Sequence, residues 1–246
     1  MIILKKNLLV IGILALFLNL IITLPAKITL NWFDKQNVSI GEIEGTLWNG
    51  TAINISITNF HIKELRWDIN IIDIFKGSLS YNIIAKPQSG SFKAKFDTKF
   101  NGAIKMSKII ASLPLNLFSN ATGIPGLQGN IDLDFDQLEI KDGLPYIADG
   151  TMNVNELIIP LVGNELLGNY EVEFFTQEDS VSANIFDRNG IVNLTGTLKI
   201  KNNRSFEFLG IVSPNSQTPF SIRQQLLFLP PAENQGQQEL RLEGIL

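Results

Sequence analysis

The 246-residue sequence contains no cysteine. That excludes disulfides, thiolate nucleophiles and cysteine-ligated metals. It contains one histidine, His61, so a histidine-rich metal site and a two-histidine acid/base mechanism are both out of reach. Charge is sparse, at 18% of residues, and the net balance of −4 argues against general nucleic-acid binding. No Gly-x-Ser-x-Gly elbow accompanies His61, which reads as a structural or exposed strand residue. The glycine-rich "GIPGLQGN" (123–130) lacks the Gly-Lys-Ser/Thr ending of a phosphate loop and reads as a turn. Helical periodicity is scarce beyond the N-terminus.

What the sequence has is apolar residues, 45% of the total. The densest run is "LLVIGILALFLNLIITL", residues 8–24, which carries no charge. Seventeen helical residues at about 1.5 Å each reach roughly 25 Å, the short end of a membrane span. Lys5 and Lys6 precede it, which keeps a tail of residues 1–7 in the cytoplasm and places the chain after Pro25 on the far side. A cleaved signal peptide is the rival, but Leu24-Pro25-Ala26 fits a small-x-small cleavage site poorly. With Lys5 and Lys6 set aside, 18 basic residues face 24 acidic ones, so the outer domain is acidic and gains nothing from an anionic membrane surface.

Residues 27–246 read as strands. In "SFKAKFDTKF" Phe92, Ala94, Phe96, Thr98 and Phe100 share one face, and Lys93, Lys95, Asp97 and Lys99 the other. "NIDLDFD" and "NYEVEFF" alternate in the same way. This is the pattern of antiparallel sheet with one covered face and one wet face. Turn-formers divide the strands at Ser89-Gly90, Asp142-Gly143, Asn189-Gly190 and Asn202-Asn203. "RNG" predicts a hairpin. Short helical turns are expected over 107–120, broken by Pro114, and over 219–229, with a turn closing 69–77. An irregular motif (a small or apolar residue, then x-Gly-x-apolar-x-apolar) recurs in "ADGTMNVNE", "LLGNYEVEF", "LTGTLKI" and "LEGIL". Glycine at a strand start allows a bulge or a close backbone approach. In "EIEGTLWNGTAINIS" (42–56), Thr46-Leu47-Trp48 reads as a strand end, Asn49-Gly50 as a turn, and Trp48 as a packing residue at the sheet edge.

The series Asp132-x-Asp134-x-Asp136 opens like a calcium loop, but Gln137 stands where glycine is needed and Gly143 where the twelfth-position glutamate belongs. On a strand those carboxylates spread at about 7 Å spacing, as a solvated face. No metal, cofactor or catalytic constellation is expected.

Pro25-Ala26 after the apolar run, Gly45-Thr46-Leu47-Trp48-Asn49-Gly50, and Trp67 leading to Gly77-Ser78-Leu79 together resemble protein N of the bacterial type II (general) secretion pathway. Softer matches continue through "LPLNLF", "LQGNIDLDF", "LLGNY", "LTGTLKI" and "LEGIL". The resemblance implies a single-pass inner-membrane accessory component, with its C-terminal domain in the periplasm, that contacts other secretion components and catalyses nothing. A second reading is an AsmA-like or lipopolysaccharide-transport-like protein that binds lipid in an apolar trough. The fold expected is mainly β: one transmembrane helix, then an elongated, curled, mostly antiparallel sheet domain, AsmA-like or sandwich-like, with a few short helices. Trp32, Trp48 and Trp67 are the candidate contact residues for partner or lipid.

Overall fold

A computed structural model describes residues 2–30, 38–57, 60–69, 78–99, 104–178 and 180–245. Trp32, Phe100 and the 70–77 part of the expected turn lie outside the described residues. The chain divides into two compact units, Met1–Gln88 and Ser89–Leu246.

The first unit opens with helix α1 (Ile2–Ile22) and a short helix α2 (Ala26–Leu30), then strands β1 (Val38–Gly45), β2 (Asn49–Ile57), β3 (Phe60–Ile69) and β4 (Ser78–Pro87). Each of these strands pairs antiparallel with its sequence neighbour. Residues 8–22 of the expected span are helical, with side chains described from Ile11 onward, and among the described residues no helix is long and apolar enough to cross a membrane. The unit buries Ala52, Ile55, Ile62, Ile69 and Ala85.

The second unit holds β5 (Ser91–Lys99), β6 (Ile104–Pro114), β7 (Gln128–Lys141), β8 (Leu144–Ile158), β9 (Gly168–Gln177), β10 (Ser180–Asp187), β11 (Val192–Lys201), β12 (Ser205–Pro214) and β13 (Gln238–Ile245). They form one antiparallel meander in sequence order, not two stacked sheets. A 3-10 turn (Leu115–Phe118) runs into the single helical turn α3 (Ser119–Thr122), and α4 (Phe220–Leu226) precedes the last strand. Several hairpin turns fall where glycine and asparagine predict them, at 88–90, 142–143, 188–191 and 202–204. Asp142 and Gly143 alone join β7 to β8, both at positive φ (52° and 80°), as a two-residue hairpin turn of matching twist requires.

One face of this sheet is mostly apolar, with Thr176 and Gln238 among its polar members. Ala94, Ile109, Phe135, Ala148 and Val181, from five different strands, form one buried cluster. Ile109 is 3% exposed and Val181 2%, with no second sheet to cover them. A flat single layer would leave them bare, so the second unit covers its inner face by curling on itself. One end is covered by short helical pieces: Leu115 packs with Leu127 and Ile131, and Ile222 of α4 packs with Tyr170, Val192 and Val212, the two clusters sharing Val154, Leu157 and Ile159.

Bulges govern which residues face inward. In β6 the register against β5 shifts between Lys93 and Lys95, and Lys108 sits at φ 51°. The extra residue puts Met106 and Ile109, three apart, on the same face. In β8 Glu156 (φ 54°) does the same for Val154 and Leu157. The helical turns expected over 107–120 therefore start later. Residues 107–114 are strand, and their three-residue apolar spacing is the mark of a bulge, not of a helix.

Aromatic rings lie over glycines across neighbouring strands. A Cβ at Gly196 would come within 2.9 Å of the Phe208 ring, and so would one at Gly210, the partner of Gly196 in the β11–β12 ladder. A Cβ at Gly244 would come within 2.8 Å of the Phe206 ring, whereas one at Gly150 would first meet the β7 backbone at Asp134 and Phe135. We expect Gly196→Ala to destabilise the protein by about 1–3 kcal/mol through overpacking, and Phe208→Leu in the same chain to recover part of that loss. Denaturant unfolding of the two single variants and the double variant checks this.

Tyr170 is buried, and its hydroxyl donates to the Leu167 carbonyl at 3.2 Å. Burial first, and the Asp187 carboxylate second, push its pKa up to about 12. The fold thus favours the neutral phenol. That contribution is complete below the unfolded value near pH 10 and is lost as pH rises through about 12. Between those limits the parent should lose roughly 1 kcal/mol more stability per pH unit than Tyr170→Phe. Urea midpoints at pH 9 and pH 11 for the two proteins measure the difference.

Candidate functional site

The loop between β1 and β2 comprises Thr46, Leu47 and Trp48, so the turn begins three residues earlier than the sequence suggests. The cause is local. Gly45 takes φ +91° and pairs with Gly50, and the Asn49 carbonyl accepts the Thr46 N–H at 2.8 Å. The Thr46 hydroxyl oxygen accepts the N–H groups of Trp48 (3.3 Å) and Asn49 (3.2 Å), holding the loop closed from inside.

That loop grips the end of α1. The last turn of a helix leaves carbonyls without intrahelical donors. Here the Trp48 indole Nε1–H donates to the Ile21 carbonyl at 2.8 Å, and the Leu47 N–H donates to the Leu24 carbonyl at 2.9 Å. Pro25 forms an isolated bridge with Thr46, and Ala26 is buried. From the other side the Trp67 Nε1–H is shared between the Thr46 and Leu47 carbonyls, 3.2 Å from each. The Trp48 carbonyl accepts the Ile69 N–H at 2.7 Å, and the Asn49 amide donates to Asp68 at 2.8 Å. Trp67 lies against Gly50, where any added Cβ would collide with its ring. Three segments far apart in sequence, 21–26, 45–50 and 67–69, thus meet in one joint. Trp48 and Trp67 are both half-buried there. Trp48 is more than the edge packing residue the sequence suggests, because its polar atom caps a helix. The signal for this was the indole N–H, which a half-buried tryptophan commonly spends on a partner.

Other sequence candidates are dispersed. The His61 Nδ1 lies 2.7 Å from the Ser56 hydroxyl, its cross-strand partner on β2. Both side chains sit on a strand surface, His61 itself exposed, and among the described residues no carboxylate is bonded to that imidazole. Asp132 accepts a bond from the Asn155 amide at 2.7 Å, as a surface strand residue does. Among the described residues no group of acidic, histidine or cysteine side chains is clustered to hold a metal. An open cleft of about 540 Å³ lies between the β9–β10 and β11–β12 turns, lined by Gln177, Glu178, Lys199 and Lys201 among others.

The model of the family "Type II secretion system (T2SS), protein N" matches residues 36–241, from β1 into β13. The chain belongs to the type II secretion system protein N family. Two relatives of the same name share the family's length. The protein of Vibrio cholerae serotype O1 is 23% identical over 245 residues, 94% of each chain, and that of Aeromonas hydrophila is 23% identical over 236 residues, 92% of each. No solved structure matches the chain. The matched region of this protein N family member includes the Gly45–Gly50 loop and Trp67, two of the three components of the joint.

Trp48→Phe keeps the ring and removes the donor to Ile21. We expect a loss of about 1 kcal/mol and faster amide exchange at Leu47, the second donor to the helix end. Hydrogen-exchange mass spectrometry over residues 42–50 reads the change, and an unchanged Leu47 rate would mean that the indole does not hold the joint.

Proposed function

We propose that this chain is an accessory component of the type II secretion machinery. Residues 8–24 hold it in the inner membrane, residues 1–7 remain in the cytoplasm, and its β units act in the periplasm by contact with other inner-membrane components. Membership of the protein N family supports the assembly. The apolar character of α1 supports the anchor: Ile11, Ile13, Leu14, Leu16, Phe17 and Leu20 are all exposed large apolar side chains among the described residues. Such a surface is costly in water and neutral in lipid.

The observation that carries the reading is the joint at Trp48. An anchor that only tethers needs a slack linker. Here a β hairpin donates to the Ile21 carbonyl in the last turn of α1 and to the Leu24 carbonyl just after it, so the end of α1 is held against the β1–β2 loop. Confinement to a membrane also raises the effective concentration of partners held in the same plane. No chemistry is assigned to the chain.

A second reading, lipid binding along the apolar inner face of the second unit, draws on one feature. Leu242 is 52% exposed on that face, beside the half-buried Phe206 and Phe208. The buried clusters that fill the face from β5 to β10 leave little of it to line a trough, so this reading carries less weight.

Affinity purification of the full chain from membranes of a secreting cell should recover other type II secretion components. Recovery of none, under conditions that keep those components together, would sink the assembly role. A periplasm-active reporter fused after residue 246 should be active, and a cytosolic one silent. Phospholipid or lipopolysaccharide found by mass spectrometry in the purified chain would favour the second reading.

A further inference from the structure

Strands β6 to β12 each have a neighbour on both sides, whereas β13 pairs only with β12. Among the described residues its outer side is met only at its start. There the Glu239 N–H donates to the Pro230 carbonyl at 2.8 Å, and Pro231 bridges Gln238. This bond fixes the phase of the edge. If the Glu239 N–H points away from β12, then by the two-residue period so do the backbone groups of Arg241, Glu243 and Ile245.

Sheet edges are ordinarily protected by charged side chains, a proline, a bulge or a cover, and beyond its start β13 has only the first. The eight residues of β13 contain no proline, and their register with β12 runs from Ser205–Ile245 to Val212–Gln238 without a shift. Beyond Glu239 the edge is straight, and Leu242 beside it is 52% exposed on the apolar face. On the other face the charges alternate in sign: Arg241 lies 3.2 Å from Glu207 of β12 and 3.6 Å from Glu243.

The order Arg241-Leu242-Glu243 is complementary to itself when reversed. We propose that β13 is a homodimer interface, in which two copies of the chain pair antiparallel about a two-fold axis at Leu242. In that register Arg241 faces Glu243 of the second copy, and Glu243 faces its Arg241. Both residues carry the edge-directed backbone groups, so each of the two pairs exchanges N–H and carbonyl bonds. Leu242 meets its own copy on the apolar face, next to Phe208, its ladder partner on β12. Ile245 turns aside where Pro230 already holds the Glu239 N–H.

Neighbouring registers are worse. A shift one way sets Glu243 against Glu243, and a shift the other way sets Arg241 against Arg241 and brings Glu243 to the occupied position at Glu239. Like charges directly opposite one another are destabilising. The other candidate from a second copy, the edge strand β1, brings Glu42 and Glu44 and no cation, which would add acid to an edge that already holds Glu239 and Glu243. A two-fold contact also closes after two copies, whereas a β1-to-β13 contact would propagate into a filament.

The inference goes beyond the proposed secretion role and is tested without it. The sequence has no cysteine, so one introduced thiol reports on its own position. Leu242→Cys in the full chain, in membranes under a mild oxidant, should yield a disulfide-linked dimer. Leu240→Cys should not, because its copy lies four strand positions away, about 13 Å. Glu243→Arg should lower crosslinking through Cys at 242 by about fivefold, and Arg241→Glu added to it should restore the dimer by exchanging the charges. No dimer from Leu242→Cys, equal crosslinking at 240 and 242, or indifference to Glu243→Arg would each overturn the proposal. Because the readout needs no secretion partner, failure here leaves the assembly role standing.

Discussion

A sheet one layer thick has to cover its apolar face with its own side chains; the second unit curls to do so and, at some glycines, places an aromatic ring over the gap. Phe208 covers Gly196 across the ladder and Gly210 on its own strand, and Phe206 covers Gly244. Trp67 over Gly50 is the same device in the first unit. A glycine leaves a gap on the face of a strand and weakens it. A ring leaning in from the neighbouring strand fills that gap and buries its own surface against backbone, a compensation also known from designed sheets. The arrangement needs both residues. A Cβ under the ring forces a clash, and a small side chain in place of the ring leaves a groove. The glycines of the recurring motif are not all at strand starts: Gly150 and Gly196 lie inside β8 and β11 and Gly244 near the end of β13, while Gly129 and Gly168 stand against backbone, not under a ring.

The joint at the end of α1 puts the same ring-over-glycine pair to a different use. Trp67 over Gly50 sets how closely β2 and β3 approach, and the Trp67 indole holds the carbonyls of Thr46 and Leu47. The loop so fixed turns the N–H of Leu47 and the indole of Trp48 toward the helix. Order therefore passes from sheet to loop to helix end. The two tryptophans have separate tasks, Trp67 building the loop and Trp48 delivering it to α1. Loss of Trp67 acts on both steps, loss of the Trp48 donor on the second alone.

Much of this was legible in the sequence. Alternation marked the strands, Asp142-Gly143 marked a two-residue hairpin, and Pro219 to Leu229 marked the short helix that is seen from Phe220 to Leu226. Two features were hidden, and for different reasons. At Lys108 a residue at positive φ interrupts the two-residue period, so Met106 and Ile109 fall at helical spacing within a strand. Sequence periodicity cannot separate a bulge from a helical turn over so few residues, because the positive φ that distinguishes them belongs here to a lysine and not a glycine. The joint was hidden because its partners lie about twenty residues apart in steps, from Ile21 to Trp48 to Trp67. The motifs there stood out singly, but their convergence depends on hairpin register, which only the paired backbone reveals.

The architecture also constrains what the protein can do. On outward strand faces, side chains stand about 7 Å apart along a strand and about 5 Å apart across the ladder. Ionisable groups placed this way meet in cross-strand pairs, as Glu171 does with Arg188 and Glu207 with Arg241. Among the described residues no acidic, histidine or cysteine side chains are grouped to hold a metal. The second unit's single layer spends its inner face on packing and offers no second layer to build a pocket against. What remains exposed and specific is a helix end held at a fixed joint, a charged strand surface, and a backbone edge at β13. Each of these parts owes its geometry to backbone register.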